Sequence, residues 1–173
     1  SPTFGGINLE DIKAPEAFEI ERRLVDELDI PVMHDDQHGT AIISGAALIN
    51  ALELANKKIG EIRMVICGAG AAAISCAKMY KSLGVKKKNM LMFDSKGLIN
   101  INRKDLSLEK KLFASKNVEI ESLADAINGS DVFIGLSKAD MMSKEMLLSM
   151  NKNPIVFAMA NPDPEINYKV AVR

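Results

Sequence analysis

Tryptophan is absent from this chain of 173 residues, and tyrosine and phenylalanine number two and six. With so few aromatics, and no basic stretch interleaved with them, no nucleic acid partner is expected. No apolar run approaches the roughly 20 residues of a membrane span, and no signal-peptide pattern is present. No membrane is therefore expected. The two cysteines, Cys67 in an expected strand and Cys76 in the helix after it, read as buried thiols rather than a disulfide. That usage points to a reducing, cytoplasmic compartment. Repeats and low-complexity tracts are also missing. What is present, 47% apolar and 26% charged residues, is ordinary for a globular chain with one real core and a small appendage.

The most informative stretch is Met64-Val65-Ile66-Cys67-Gly68-Ala69-Gly70-Ala71-Ala72-Ala73. A short apolar run leads into Gly-x-Gly-x-x-Ala, and helical spacing follows. In this order of strand, tight turn and helix, the first glycine permits the turn and Gly70 leaves room for a pyrophosphate. The small Ala73 lets the helix pack close, with its N-terminus aimed at the phosphates. A second apolar run, Met90 to Phe93, ends in Asp94, at the distance expected of an acid that binds the ribose. Asp131 to Gly135 and Pro154 to Met159 read as further buried strands. Four such strands alternating with helices predict a Rossmann-like α/β fold, a doubly wound parallel sheet with helices on both faces. Ligands on such sheets lie beyond the carboxyl ends of the strands, where Gly68 to Ala73, Asp94, Gly135 to Ser137 and Asn161 all fall.

The remaining elements follow from local signals. Pro15 suits the first turn of an amphipathic helix over Glu16 to Leu28, with Phe18, Leu24, Val25 and Leu28 on its buried side and Glu19 and Arg23 as an exposed pair. Thr40 to about Asn56 is helical and rich in small residues, which predicts a largely buried helix, closed by Lys57-Lys58 and Gly60. Gly84 ends the helix after the glycine turn, and Lys86-Lys87-Lys88 reads as a solvated turn. Ser95 to Ile99 makes a turn or short hairpin. Leu106 to Phe113 and Ile120 to Ile127 are helical pieces, and Ser143 caps a helix through Met150.

Charge is distributed unevenly. Residues 1–40 hold ten acids and three bases, and the remainder thirteen acids and nineteen bases. Glu10-Asp11 in one loop and Asp35-Asp36 after a short extended piece are suited to a hard divalent cation, Mg²⁺ or Mn²⁺, which takes oxygen ligands. The plain alternative is solvated acids on loops. His34 and His38 flank the second pair four residues apart, in a segment without clear helical character. With no cysteine nearby, zinc is set aside.

Taken together, Asn8-Leu9-Glu10-Asp11, His34-Asp35-Asp36-Gln37-His38-Gly39-Thr40-Ala41, the glycine turn, Asp94-Ser95-Lys96-Gly97 and Ala160-Asn161-Pro162 resemble the malic enzymes, particularly the bacterial type. The resemblance covers essentially the whole chain, and Asp-Asp-x-x-Gly-Thr-Ala is its most specific part. It implies that Glu10, Asp11 and Asp36 hold the metal, that Asp35 orients a catalytic lysine, and that Asn161 sits by the nicotinamide and the substrate carboxylate. It further implies that Gly68, Gly70, Ala71, Ala72, Ala73, Asp94, Ser95, Lys96 and Ser137 contact NAD or NADP. Residues 1–39 would then be metal-site loops and an acidic helix, and residues 40–173 the NAD(P)-binding domain. The family converts malate to pyruvate and CO₂, and a homo-oligomer is expected of the full-length protein. The family's Lys and Tyr acid–base pair lies N-terminal to this region, so the chain, which begins at Ser1 and stops at Arg173, reads as a piece of a longer protein, inactive alone. Malolactic enzymes share these motifs. A binding-only nucleotide module and an amino-acid or shikimate-type dehydrogenase domain are the remaining alternatives.

Overall fold

The computed structural model describes residues 3–13 and 16–172. The helix-opening role expected of Pro15 lies outside the described residues. Two short strands, β1 (Ile7–Leu9) and β2 (Val32–His34), pair in parallel as a small sheet, with α1 (Glu16–Glu27) between them in sequence. Ala17 is buried, and Phe18, Leu24 and Leu28 are half-buried, but Val25 is exposed, contrary to expectation. The apolar stripe runs through Ala17, Leu24 and Leu28, at spacings of seven and four, and Val25 is rotated off it. The expected Glu19–Arg23 pair is likewise replaced. Arg22 takes Glu19 at 2.8 Å and Asp26 at 3.4 Å, and Arg23 takes Glu27 at 3.2 Å.

The long helix α2 spans Asp35–Ala55 and starts five residues earlier than the small-residue run predicts. The two carboxylates in its first turn favour this, since acids complement the positive end of the helix. Asn56, in the left-handed conformation at φ 53°, closes α2, and its amide bonds back to Glu53 O; the lysines and Gly60 lie beyond. One face of α2 is buried through Ala41, Ser44, Gly45, Leu48 and Leu52. The other leaves Ile42, Ile43, Ile49 and Leu54 in solvent, so the helix is half rather than largely buried.

A five-stranded sheet forms the body. Its strands are β3 (Met64–Cys67), β4 (Met90–Asp94), β5 (Gly97–Leu98), β6 (Val132–Gly135) and β7 (Ile155–Ala158), in the order β5-β4-β3-β6-β7. Four are parallel, as predicted. β5 folds back antiparallel on β4, because a turn of two residues permits only a hairpin. Side chains alternate across the sheet. Met64 and Ile66 face α2 and α3 (Ala71–Leu83), while Val65 and Cys67 face the layer of α5 (Leu123–Ile127), α6 (Lys144–Leu148) and α7 (Tyr168–Ala171). Buried on both faces, β3 and β6 carry no exposed residue, which is why they read as unbroken apolar runs. A further single-turn helix, α4 (Leu108–Lys111), covers the end of β4, and the Lys86-Lys87-Lys88 run enters a 3₁₀ turn over Lys87–Asn89. Both cysteines are free and buried, and burial raises both thiols above the usual range.

Helices α2 and α3 are joined by a buried polar knot. Tyr80 donates its hydroxyl to Ser44 Oγ at 2.8 Å, Ser44 donates to the Thr40 carbonyl at 2.6 Å, and Cys76 Sγ lies 3.6 Å from Ser44 Oγ. Gly45 permits this approach, since a Cβ there would lie 3.1 Å from Met79 Cγ.

Candidate functional site: a crevice at the carboxyl ends of the strands

At the carboxyl end of β3 the chain turns sharply into α3. Gly68 sits at φ 129°, a left-handed value that disfavours side chains, and an added Cβ would overlap the Leu136 carbonyl beyond β6. Glycine is therefore fixed here by two constraints. Gly70 is different: its backbone is extended, and nothing lies within 4 Å of an added Cβ. The space above it is the open approach path of the crevice. Gly70 is the N-cap of α3 and supplies no side chain to that cap, and the first turn carries Ala71, Ala72 and Ala73 without an acid. The first amides of a helix have no intrahelical partners, so they face the crevice as donors for an anion.

The crevice is a cavity of 620 Å³ lined by Gly68, Gly70, Asp94, Ser95 and Ser137 from three strand ends. Of the remaining expected cofactor contacts, Ala71 to Ala73 form the adjoining first turn of α3, with Ala73 buried. Lys96 and Asn161 are exposed and outside the lining. A neighbouring depression of 530 Å³ shares Gly70 and Lys110 and brings Arg22 of α1 to the phosphate turn, a residue that sequence reasoning did not single out.

Asp94 is the most heavily engaged carboxylate. Oδ1 accepts from Arg103 Nη1 at 2.7 Å and from the Lys96 amide at 3.0 Å. Oδ2 accepts from Arg103 Nη2 at 3.0 Å and from Lys110 Nζ at 2.9 Å. A carboxylate offers about four acceptor positions, and all are in use. Burial opposes its charge, but the Arg103 fork and then Lys110 outweigh burial and hold the carboxyl at about 2. Asp105 takes the rest of the fork and Lys96 Nζ, at 3.0 and 2.8 Å, and lies well below the usual range for the same reason.

The β6 and β7 ends are tied together by Glu165. Its side chain is fully buried, Oε1 accepts the Ser137 amide at 3.0 Å and Oε2 the Ala160 amide at 3.1 Å. Gly135 makes the space, since any Cβ there would overlap this carboxylate. Ser137 Oγ in turn lies 3.3 Å from Cys67 Sγ. Sequence reasoning missed Glu165. The available signal was Gly135, a glycine at the end of an apolar run, where close approach by another group is one reason for the residue; its φ is not left-handed, so turn geometry does not demand it.

The acidic residues lie apart from this crevice. Pairing of Leu9 with His34 brings the ends of β1 and β2 side by side, which places Glu10-Asp11 next to Asp35-Asp36. The Asp11 amide donates to Asp36 Oδ2 at 3.2 Å, with Asp11 at φ 55°, while Glu10 Oε1 lies 3.4 Å from Asn8 Nδ2. Among the described residues, no three acidic, histidine or cysteine side chains are gathered closely enough to hold an ion. The donor set is nonetheless all carboxylate oxygen, and Glu10, Asp11 and Asp36 are exposed, which suits a hard cation approached from solvent. Asp35 is half-buried, its carboxylate lying over Gly39, where a Cβ would overlap it. The histidines do not join the acids: His34 is buried, and His38 Nε2 lies 2.8 Å from Glu21 Oε1, which also accepts the His34 amide at 2.9 Å. This segment is helical from Asp35, contrary to the sequence reading.

A doubly wound sheet with a glycine phosphate turn, an acid at the end of the next strand and an open crevice above both defines a dinucleotide-binding domain. The model of the malic enzyme NAD-binding domain matches residues 37–171, and the chain belongs to that family. It is 52% identical over 169 residues to an NADP-dependent malic enzyme of Halomonas elongata, which covers 98% of this chain and 40% of that protein. It is 51% identical to an NAD-dependent malic enzyme of Rhizobium meliloti, over 98% of this chain and 22% of the relative. The crystal structure of the Entamoeba histolytica malic enzyme superposes with a TM-score of 0.93 at 41% identity, over 98% of this chain and 37% of the other. The chain thus spans well under half the length of these relatives.

Proposed function

We propose that this chain is the nicotinamide-nucleotide-binding part of an enzyme that oxidises malate and decarboxylates it to pyruvate and CO₂. The carrying observation is the convergence of Gly70, Asp94 and Ser137 on one crevice at the carboxyl ends of β3, β4 and β6. The pyrophosphate would lie on the free amides of Ala71 to Ala73, the adenosine side against Asp94, Ser95 and Lys96, and the nicotinamide toward Ser137 and Asn161. Glu165 would hold the nicotinamide end in shape by fixing the amides of Ser137 and Ala160.

The residues around Asp94 favour NADP over NAD. A free carboxylate would accept the ribose hydroxyls and repel a 2′-phosphate, but this one is already saturated by cations. Lys110 and Lys96 are side chains that can turn from an acid to a phosphate, and Arg103 stays to neutralise Asp94.

Residues 1–39 would carry the acidic helix and metal-site loops, and residues 40–173 the dinucleotide domain, although α2 runs through that boundary without a break. Glu10, Asp11 and Asp36 would hold Mg²⁺ or Mn²⁺, and Asp35 would orient the lysine base that the family resemblance implies. When bound, the ion supplies Lewis-acid polarisation of the oxygen on malate C2. A nicotinamide held toward Ser137 and Asn161 would supply the hydride acceptor for that carbon, and loss of CO₂ from the keto acid with protonation at C3 would complete the conversion to pyruvate. The exposed apolar face of α2 supports a homo-oligomer. No described helix is long and apolar enough to cross a membrane, and the reduced, buried cysteines support a cytoplasmic setting.

Calorimetric titration with NADP and NAD tests this reading. Both are expected to bind, NADP more tightly, and Lys110→Ala should weaken NADP by about tenfold while changing NAD by less than about twofold. Failure of both nucleotides to bind would overturn the assignment, and an equal loss for both would overturn the preference.

A further inference from the structure

The carboxyl ends of the strands do not hold the only concavity with a distinct chemistry. At the opposite end of the sheet, a cavity of 580 Å³ opens beside the first residues of β3 and β4. Five of its lining residues are cations: Arg63, Lys87, Lys88, Lys111 and Lys116. No carboxylate is among the lining residues. None of the five forms an ion pair among the described residues, whereas Lys57, Lys58, Lys96 and Lys110 each find an acid within 4 Å. In a chain with a net charge of −1, five positive charges gather around one hollow whose lining holds no acid. A concavity walled by charge of one sign concentrates the field and attracts counter-ions of the other sign.

The floor is of another kind. Val65 and Ala126 are buried there, and Leu91 and Ile120 are half-buried, so the bottom of the hollow is apolar. The cationic rim stands on fixed backbone. Arg63 is clamped to Asp131, its amide donating to Oδ2 at 2.8 Å and its carbonyl accepting the Asp131 amide at 2.8 Å. The 3₁₀ turn that carries Lys87 and Lys88 is closed by the Asn89 amide on the Lys86 carbonyl at 2.9 Å. Lys116 follows a segment pinned by two bonds, Ile101 amide to Ser115 carbonyl at 3.0 Å and Ser115 amide to Ile99 carbonyl at 2.9 Å. Ordering a ligand here would cost mainly the freedom of long side chains, because the backbone is already set.

We propose that this hollow is a second ligand site, taking a molecule with clustered phosphates on a flat apolar body, the chemistry of a nucleoside polyphosphate or a coenzyme-A-type thiol. The phosphates are held by Lys87, Lys88, Lys116, Lys111 and Arg63, and the apolar body rests on Val65, Leu91 and Ile120. A hollow of this volume is of the size that encloses such a small molecule. The site is separate from the dinucleotide crevice, from which it is divided by the length of β3 and β4, and it does not depend on how that crevice is used. Helix α4 reaches both, with Lys111 at this hollow and its neighbour Lys110 at the dinucleotide crevice.

Calorimetric titration of the chain with ATP, coenzyme A and sodium pyrophosphate, at low and high salt, tests the proposal. It is run on the native protein, on K87E/K116E, on K87Q/K116Q and on Gly70→Val. ATP or coenzyme A is expected to bind more tightly than pyrophosphate, to weaken with salt, and to weaken by about tenfold or more in K87E/K116E. The neutral K87Q/K116Q pair should fall in between and melt like the native protein, and Gly70→Val should leave this binding unchanged. Absence of binding by all three probes would overturn the proposal. So would binding that survives K87E/K116E and disappears in Gly70→Val, since the ligand would then occupy the dinucleotide crevice. Pyrophosphate binding as tightly as ATP would overturn the role of the apolar floor, and the more telling of ATP and coenzyme A identifies the source of the phosphates.

Discussion

Asp94 and Asp36 are acids of one type, both at the head of a strand-end loop or helix, held in opposite ways. Asp94 is met by four donors from its own chain and has no acceptor position left over. Asp36 is exposed, receives one 3.2 Å bond from the Asp11 amide, and forms no ion pair among the described residues. The first is a finished piece of structure, neutralised from within. The second is a solvent-facing charge with one backbone donor, open to a partner in the way the proposed metal site requires. The residue type therefore says little about the role, and the neighbours that the fold brings say nearly everything.

The sharpest way to separate the two regions is Gly70→Val. The position has open space above it and an extended backbone, so the fold should tolerate the change. The new side chain would stand in the path of the pyrophosphate. Nucleotide affinity should fall by about a hundredfold or more, with the thermal midpoint moved by only about 2 °C. Nucleotide titration beside a melting curve checks both. A large drop in stability with affinity retained would mean that the turn is structural alone. Mn²⁺ binding should be indifferent to this substitution.

The acidic region gives a smaller effect in the reverse sense. Asp36→Asn should weaken Mn²⁺ binding by about tenfold, and His38→Ala, which only frees Glu21, by less than about twofold. Mn²⁺ titration followed by electron paramagnetic resonance distinguishes them, and equal effects would take Asp36 out of the ligand set. Neither change should alter nucleotide affinity.

The smallest effect is on stability against pH. The Asp94 carboxyl lies at about 2 in the folded chain against 3.8 for the free group. A lowered acid stabilises the fold above its unfolded value and loses that contribution as pH falls toward the folded one. About 2 kcal/mol should therefore disappear between pH 5 and pH 2, and Asp94→Asn should remove that part of the slope. Urea denaturation at stepped pH measures it. An unchanged slope in the variant would assign the acid sensitivity to other groups.

The contrast also governs what could be read in advance. The sheet was legible because both faces of β3, β4, β6 and β7 must be covered, so their apolar runs announce themselves, and Gly68 and Gly70 mark the turn. The place of the crevice at the carboxyl ends follows from these, whereas the strand order is given by the fold alone. Local pairing was not legible. Glu19 chooses Arg22 rather than Arg23, and Asp94 is claimed by Arg103 and Lys110, because rotamer and loop geometry decide among partners of equal charge. Val25 was misplaced because the stripe on α1 is narrow, and the start of α2 because acids in a first turn look the same as acids in a loop. Glu165 was hidden for a further reason: its partners are backbone amides, which leave no trace in composition.

The knot of Tyr80, Ser44 and Cys76 carries one more consequence. Helix α2 begins at the acids and α3 begins at the phosphate turn, and the knot pins the two rods at a single depth. Sliding one rod by a full turn, about 5.4 Å, would carry Ser44 out of reach of the Tyr80 hydroxyl. The separation between the acidic first turn of α2 and the glycine turn that opens α3 is thus a gauge length stamped into the interior, set by a hydroxyl pair that touches neither.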